Sequence, residues 1–267
     1  MRTLFAAKTI EVGHHPTISV FGLTIDLDIV AATVLAALIF LALGFAMRRK
    51  VTSGVPGKLQ LMYEIIVTDI VGSLAESAIG PTKYKRFVPI GVTLFIFILL
   101  CNWMSLLPTA LHPGGSYELL PPPTSDVNLP LAMALFVICW VHIESVRARG
   151  VGGYFKHYFQ PYTALAPINV IEEITKPITM TFRLFGNMFS GGLMVLVMTT
   201  LLPIYVIPVG ELVWKPFDLF IGAIQAYIFM LLTILYFGMA MSHEEHDDHQ
   251  PATEPALAAT TATSASH

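Results

Sequence analysis

Residues 29–47 read IVAATVLAALIFLALGFAM, 19 consecutive residues without a charge. A helix needs about 20 such residues to cross the roughly 30 Å hydrocarbon layer of a bilayer. Only 12% of the 267 residues are charged, against about 25% in soluble domains. A membrane protein follows, and the small net charge of −3 argues against a nucleic-acid partner. Cys101 and Cys139 lie in separate apolar runs with no metal-ligand spacing. Both read as small core hydrophobes.

Basic residues orient the chain. Arg48, Arg49 and Lys50 follow the first run at once, so by the positive-inside rule that end is cytoplasmic and segment 1–28 is external. Lys8 and Glu11 spoil a signal-peptide reading of the N-terminus. Lys83, Lys85 and Arg86 precede a second span over 87–111, and a Pro/Gly-rich external loop covers 112–126. A third span, 127–146, returns to Arg147, Arg149, Lys156 and His157. Two long segments follow, 163–202 and 209–241, with Pro203 and Pro208 at the turn. In 56–80, Lys58, Glu64, Asp69 and Glu76 recur among apolar residues, which predicts an amphipathic helix at the interface or packed on a partner. The expected fold is an all-α polytopic membrane protein: about five membrane-inserted helices plus one interfacial helix in one membrane domain, 29–241. The tail 242–267 reads as disordered and cytoplasmic. Its His243, His246 and His249, set among acids, read as a solvated cluster rather than a metal site.

The polar residues of 163–202 are ordered. Glu172, Lys176, Thr179, Arg183, Asn187 and Ser190 are spaced 4, 3, 4, 4 and 3, which is one helix face, with Glu173 beside it. Glu211, Lys215, Asp218, Gly222 and Gln225 repeat the pattern, and Thr233 and Tyr236 extend it. Polar residues also glue helices together in lipid, which accounts for Asn187, Ser190 or Gln225 singly. It accounts poorly for Arg183, whose charge costs about 2.5–3.5 kcal/mol in lipid on insertion scales and cannot be shed. No acid lies within a turn or two of Arg183 on its own helix, and Asp218 is a candidate partner from the other segment. A fixed positive charge favours the ionised form of a nearby carboxylate and repels other cations. The stripe therefore reads as a proton path with a block in its middle.

RLFGNM after KP, the later IQAYIFMLLTILYFGMA, CNWMSLLP (101–108) and PTSDVNLPLAMAL (123–135) together resemble subunit a of the F-type ATP synthase. The resemblance covers most of residues 30–241 in order. It implies a stator beside a rotating c-ring, with subunit b and other synthase subunits as partners, in a bacterial plasma membrane. The N-terminus would be external and the C-terminus cytoplasmic. It also implies that the last two helices are strongly tilted and that 56–80 lies near subunit b.

By the same resemblance Arg183 faces the ring carboxylate and blocks leak between two half-channels. Asn187 and Gln225 flank it, and Asp126 and Asn128 lie near the outer side. Glu172, Glu173 and Lys176 lie where the inner half-channel opens, and Tyr236 near the inner end of the last helix. Ser190 belongs to the path and Glu211 to the external entrance. The chain departs from the family pattern at Gly192, where some members carry Glu, at Asp218, where they carry His, and at Ser105, where an acid is common. Asp218 is then expected to act alone as the titratable group of the external half-channel, with water in the space left by Gly192. Its structural role would be pairing with Lys215 or Arg183.

No nucleophile–base motif or phosphate-binding loop is present, so ATP chemistry belongs to other subunits, and no cofactor or metal is expected. A secondary transporter or channel using Arg183 as an anion anchor is the rival reading. It predicts an internal repeat or paired broken helices, and the sequence has neither. His142, near Glu144, reads as interfacial.

Overall fold

The computed structural model describes residues 17–20, 23–52, 54–106, 121–158, 166–203 and 205–241. The expected external loop is described only from 121 onward, and the acidic, His-rich tail lies outside the described residues. The fold is an all-α polytopic bundle with one addition. A short antiparallel hairpin, β1 (Thr17–Val20) and β2 (Leu23–Asp26), leads straight into the first helix, with Thr17 opposite Asp26. Thr and Ile or Val at five of its eight positions suit a strand pair.

Five helical stretches are long and apolar enough to cross a membrane. They are α1 (Leu27–Lys50), α4 (Val88–Trp103) with its flanking 3-10 turns, α5 (Asn128–Tyr158), α6 (Ala166–Leu201) and α7 (Ile207–Met241). At 1.5 Å per residue, the 36 residues of α6 extend about 54 Å. The apolar layer is about 30 Å thick, so α6 has to lean or project from it.

The segment expected at the interface is α2 (Lys58–Glu64), a π-helical stretch (Ile65–Gly72) and α3 (Ser73–Ile79). Lys58, Glu64, Asp69 and Glu76 are all exposed, while Val71 and Ala75 are fully buried against the bundle. α3 lies so close to α7 that a Cβ on Gly238 would stand 2.5 Å from the Ala78 carbonyl oxygen. The apolar side of the later part is therefore buried within this chain, whereas Leu59, Leu61, Met62 and Ile65 of the earlier part stay exposed.

The core lies among α3, α4, α5, α6 and α7. Phe87, Ile98, Val137, Leu184, Met230 and Phe237 are almost wholly buried there, and the Phe87 and Phe237 rings meet at 4.6 Å between centroids. α1 attaches more lightly, through Ala32 and Ala36 against Cys101 and Met104. Such small residues let helices approach closely in lipid. Cys101 is buried as expected, whereas Cys139 is exposed on α5.

At the basic end, α4 and α5 are tied by a buried carboxylate. Glu144 Oε1 accepts from Arg86 Nη2 (2.8 Å), Arg147 Nη1 (2.9 Å) and Trp140 Nε1 (3.3 Å). Arg149 donates to the Met239 and Ala240 carbonyls at 2.8 and 3.1 Å. It thereby caps the C-terminus of α7, where unpaired carbonyls favour a cation.

α5 breaks at Gly150, whose φ of 72° and ψ of 164° only glycine adopts readily. The break has a consequence 12 residues apart: Tyr154 Oη lies 3.2 Å from His142 Nδ1. In a continuous helix those residues would be about 18 Å apart, beyond the reach of the two side chains. The chain turns back at Gly150 and returns Tyr154 to the bundle.

Candidate functional site

α6 and α7 run antiparallel, and three contacts set their register. Gly210 lies against Met198, with Sδ 3.0 Å from an ideal Cβ, and Gly191 against Asp218, whose Oδ1 is 2.9 Å from one. Lys176 Nζ stands 5.4 Å from the Tyr236 ring centroid. Between the last two contacts, Arg183 falls level with Gln225, about two turns from either.

The two polar stripes have different fates. On α7, Gly222, Gln225 and Thr233 are buried and Asp218 and Tyr236 half-buried. On α6, Arg183, Thr179 and Ser190 are exposed, on a face that also shows Phe182, Phe189 and Ile178. Arg183 has no ion-pair partner among the described residues. The alternative role of Asp218 as an ion-pair partner of Arg183 is absent here, because Asp218 sits about two turns away, against Gly191. The Nδ2 of Asn187 and the Nε2 of Gln225 are buried without a hydrogen-bond partner among the described residues.

Asp218 anchors one polar cluster. Its Oδ2 accepts from Ser105 Oγ at 3.0 Å, and Lys215 Nζ reaches the Ser105 carbonyl at 3.4 Å. Lys215 therefore approaches the cluster without pairing with Asp218. Asn102, almost wholly buried, donates to the Gly222 carbonyl at 3.0 Å and accepts from Thr124 Oγ1 at 2.9 Å. Those bonds hold the segment before α5 against α7. In that segment Asp126 is engaged locally: its two oxygens accept from the Asn128 backbone N (2.9 Å) and Nδ2 (3.1 Å). Glu211 lies two turns before Asp218 on α7, half-buried. The open space at Gly192 is real, with nothing within 4 Å of a Cβ there, but Asp218 packs against its neighbour Gly191.

A second cluster lies at the basic end. A cavity of about 170 Å³, ample for several waters, is walled by Glu172, Glu173, Lys176, His142, Tyr154 and Tyr236 among others. Lys176 Nζ pairs with Glu173 Oε2, and His142 Nδ1 lies 3.8 Å from Glu173 Oε1.

Glu172, Glu173, Lys176 and Tyr236 are thus brought together, as their shared helix faces suggest. Asp218 keeps separate company, and Ser190 donates to its own helix at the Asn187 carbonyl (2.9 Å). The sequence reading missed Asn102 and Tyr154, named Ser105 only as a departure from the family pattern, and set His142 aside. The polar run CNWMS is the one signal that pointed toward Asn102 and Ser105.

The arrangement offers a polar cluster and a polar cavity on one helix seam, with a fixed cation between them on an apolar outer face. The family described as ATP synthase A chain matches residues 29–238. ATP synthase subunit a of Mycobacterium marinum is 47% identical over 247 residues, covering 91% of this chain and 97% of that protein. The subunit a of Acidothermus cellulolyticus is 45% identical over 246 residues, 91% of this chain and 88% of its own length. That of Mycobacterium leprae is 44% identical over 250 residues, 92% and 99% respectively.

Proposed function

The chain belongs to the ATP synthase subunit a family, and we propose that it forms two offset half-channels for protons with Arg183 as the gate between them. It is a multi-pass membrane subunit that works with other ATP synthase subunits. The observation that carries the proposal is the position of Arg183: exposed on an apolar face, level with Gln225, and about two turns from either polar pocket. A carboxylate brought past that face by a partner would meet a permanent charge. At 4 Å and an effective dielectric of about 20, the attraction is about 4 kcal/mol. That favours the ionised carboxylate and release of its proton, while the same charge repels a proton moving straight from one pocket to the other.

The partner that fits is a ring of c subunits, seated on the face formed by Phe182 and Phe189 of α6 and Phe217 and Phe220 of α7, all exposed. Subunit b would take the lightly packed side around α1 and α2. The pocket at Asp218, Ser105 and Lys215, with Asp126, Asn128 and Glu211 toward its mouth, is the external half-channel. The cavity at Glu172, Glu173, Lys176 and Tyr236 is the internal one, because it shares its end of the bundle with Arg86, Arg147 and Arg149. Asn187 and Gln225 line the passage beside the gate, and Ser190 the face leading from the outer pocket. The N-terminus is external and the tail cytoplasmic in the bacterial plasma membrane, with the long α6 and α7 strongly tilted beside the ring. Proton flow past this chain turns the ring; ATP is made or hydrolysed in other subunits.

ATP-driven proton pumping into inverted membrane vesicles tests the gate. Arg183→Ala is expected to abolish pumping while the complex still assembles. Pumping at the wild-type rate would overturn the proposal.

A further inference from the structure

We infer that His142 is a proton-relay group of the inner cavity, exchanging its proton with Glu173, an assignment that rests on the half-channel reading above. Glu173 divides its two oxygens: Oε2 is held by Lys176, and Oε1 faces His142 Nδ1 at 3.8 Å. That gap is closed by a small side-chain rotation or one intervening water. The same nitrogen is approached by Tyr154, whose hydroxyl lies 3.2 Å from Nδ1, with the two rings edge-on. A hydroxyl both donates and accepts, so Tyr154 donates to a neutral Nδ1 and shares the single Nδ1–H of a protonated ring with Glu173 Oε1, to which that proton passes. It is a positioning residue for both states, delivered by the turn at Gly150.

Three helices surround the imidazole. From α6 come Glu172, Glu173 and Lys176; from α5, Tyr154 and Arg149; from α7, Tyr236. Imidazole is the one side chain whose ordinary titration falls between pH 5 and 8. His142 is 30% exposed and Glu173 22%, so both reach the cavity while staying fixed to its wall. The step is balanced: the Nδ1–H of the imidazolium passes its proton to Glu173 Oε1, leaving a neutral ring and a neutral carboxyl. Cytoplasmic water then reprotonates the ring, and the reverse sequence runs in the opposite direction of flow.

The experiment is passive proton conduction through the membrane sector in inverted vesicles stripped of the catalytic sector. The driving force is held constant while pH on the cytoplasmic face is stepped from about 5.5 to 8. The wild type is expected to show a pH-dependent change in conduction across that range. His142→Gln and His142→Phe are expected to lose that change and to conduct three- to tenfold more slowly per assembled complex. Tyr154→Phe is expected to keep the change but displace its midpoint. A wild type with no such change overturns the assignment before any variant is made, and so does a change that survives in both His142 variants. If Arg183→Ala pumps normally in matched vesicles that keep the catalytic sector, the half-channel reading itself fails. If Arg183→Ala behaves as expected and the His142 variants do not, only the relay assignment falls.

Discussion

Two adjacent glycines should respond oppositely to the same substitution. A methyl added at Gly191 would stand 2.9 Å from Asp218 Oδ1 and 3.5 Å from its carboxyl carbon, whereas one added at Gly192 meets nothing within 4 Å. Ordinary contact begins at 3.4 Å, so Oδ1 has to recede by about 0.5 Å. The carboxylate is short and its other oxygen is held by Ser105 at 3.0 Å. Receding swings that oxygen away from the hydroxyl. A hydrogen bond to a charged group contributes about 1.5–3 kcal/mol. If Asp218 passes protons from that geometry, losing it raises the barrier by a comparable amount, and about 1.4 kcal/mol is tenfold in rate. Gly191→Ala is therefore expected to slow proton conduction by roughly 10- to 100-fold in inverted vesicles, normalised to assembled complex. Gly192→Ala should stay within about twofold of wild type. The reverse order, or equal rates for both, would refute the placement of Asp218 against Gly191 and the role built on it.

Asp218→Asn keeps the acceptor oxygen for Ser105 and removes the charge, so pumping should fall more than tenfold with assembly intact; unchanged pumping would exclude Asp218 from the path. Gly238→Ala forces a methyl against the Ala78 carbonyl, a backbone atom that cannot step aside. Overpacking of this kind costs about 1–3 kcal/mol, seen as a lower thermal unfolding midpoint in detergent, and an unaltered midpoint would contradict the α3–α7 approach described above.

Much of the architecture is local and therefore readable along the chain. Uncharged runs of bilayer length marked the spans, basic clusters marked their ends, and a 3.6-residue period put Glu172, Lys176 and Arg183 on one face. The amphipathicity of 56–80 was equally plain in its charges, since Lys58, Glu64, Asp69 and Glu76 are all exposed, whereas Leu59, Leu61 and Met62 are exposed as well. Periodicity says which residues share a face, but not what that face meets. The α7 stripe turned inward against α4 and α6 while the α6 stripe kept Arg183 on the outer surface, and nothing in the spacing of either segment distinguishes the two. The partner of Asp218 is Ser105, 113 residues away, because α4 ends beside α7; its neighbour on α6 is Gly191 rather than Gly192, a matter of about 100° of helix rotation. His142 gained Glu173 from an adjacent helix and Tyr154 from beyond a break at one glycine among 19. That break depends on a backbone angle that residue identity permits and tertiary contacts select.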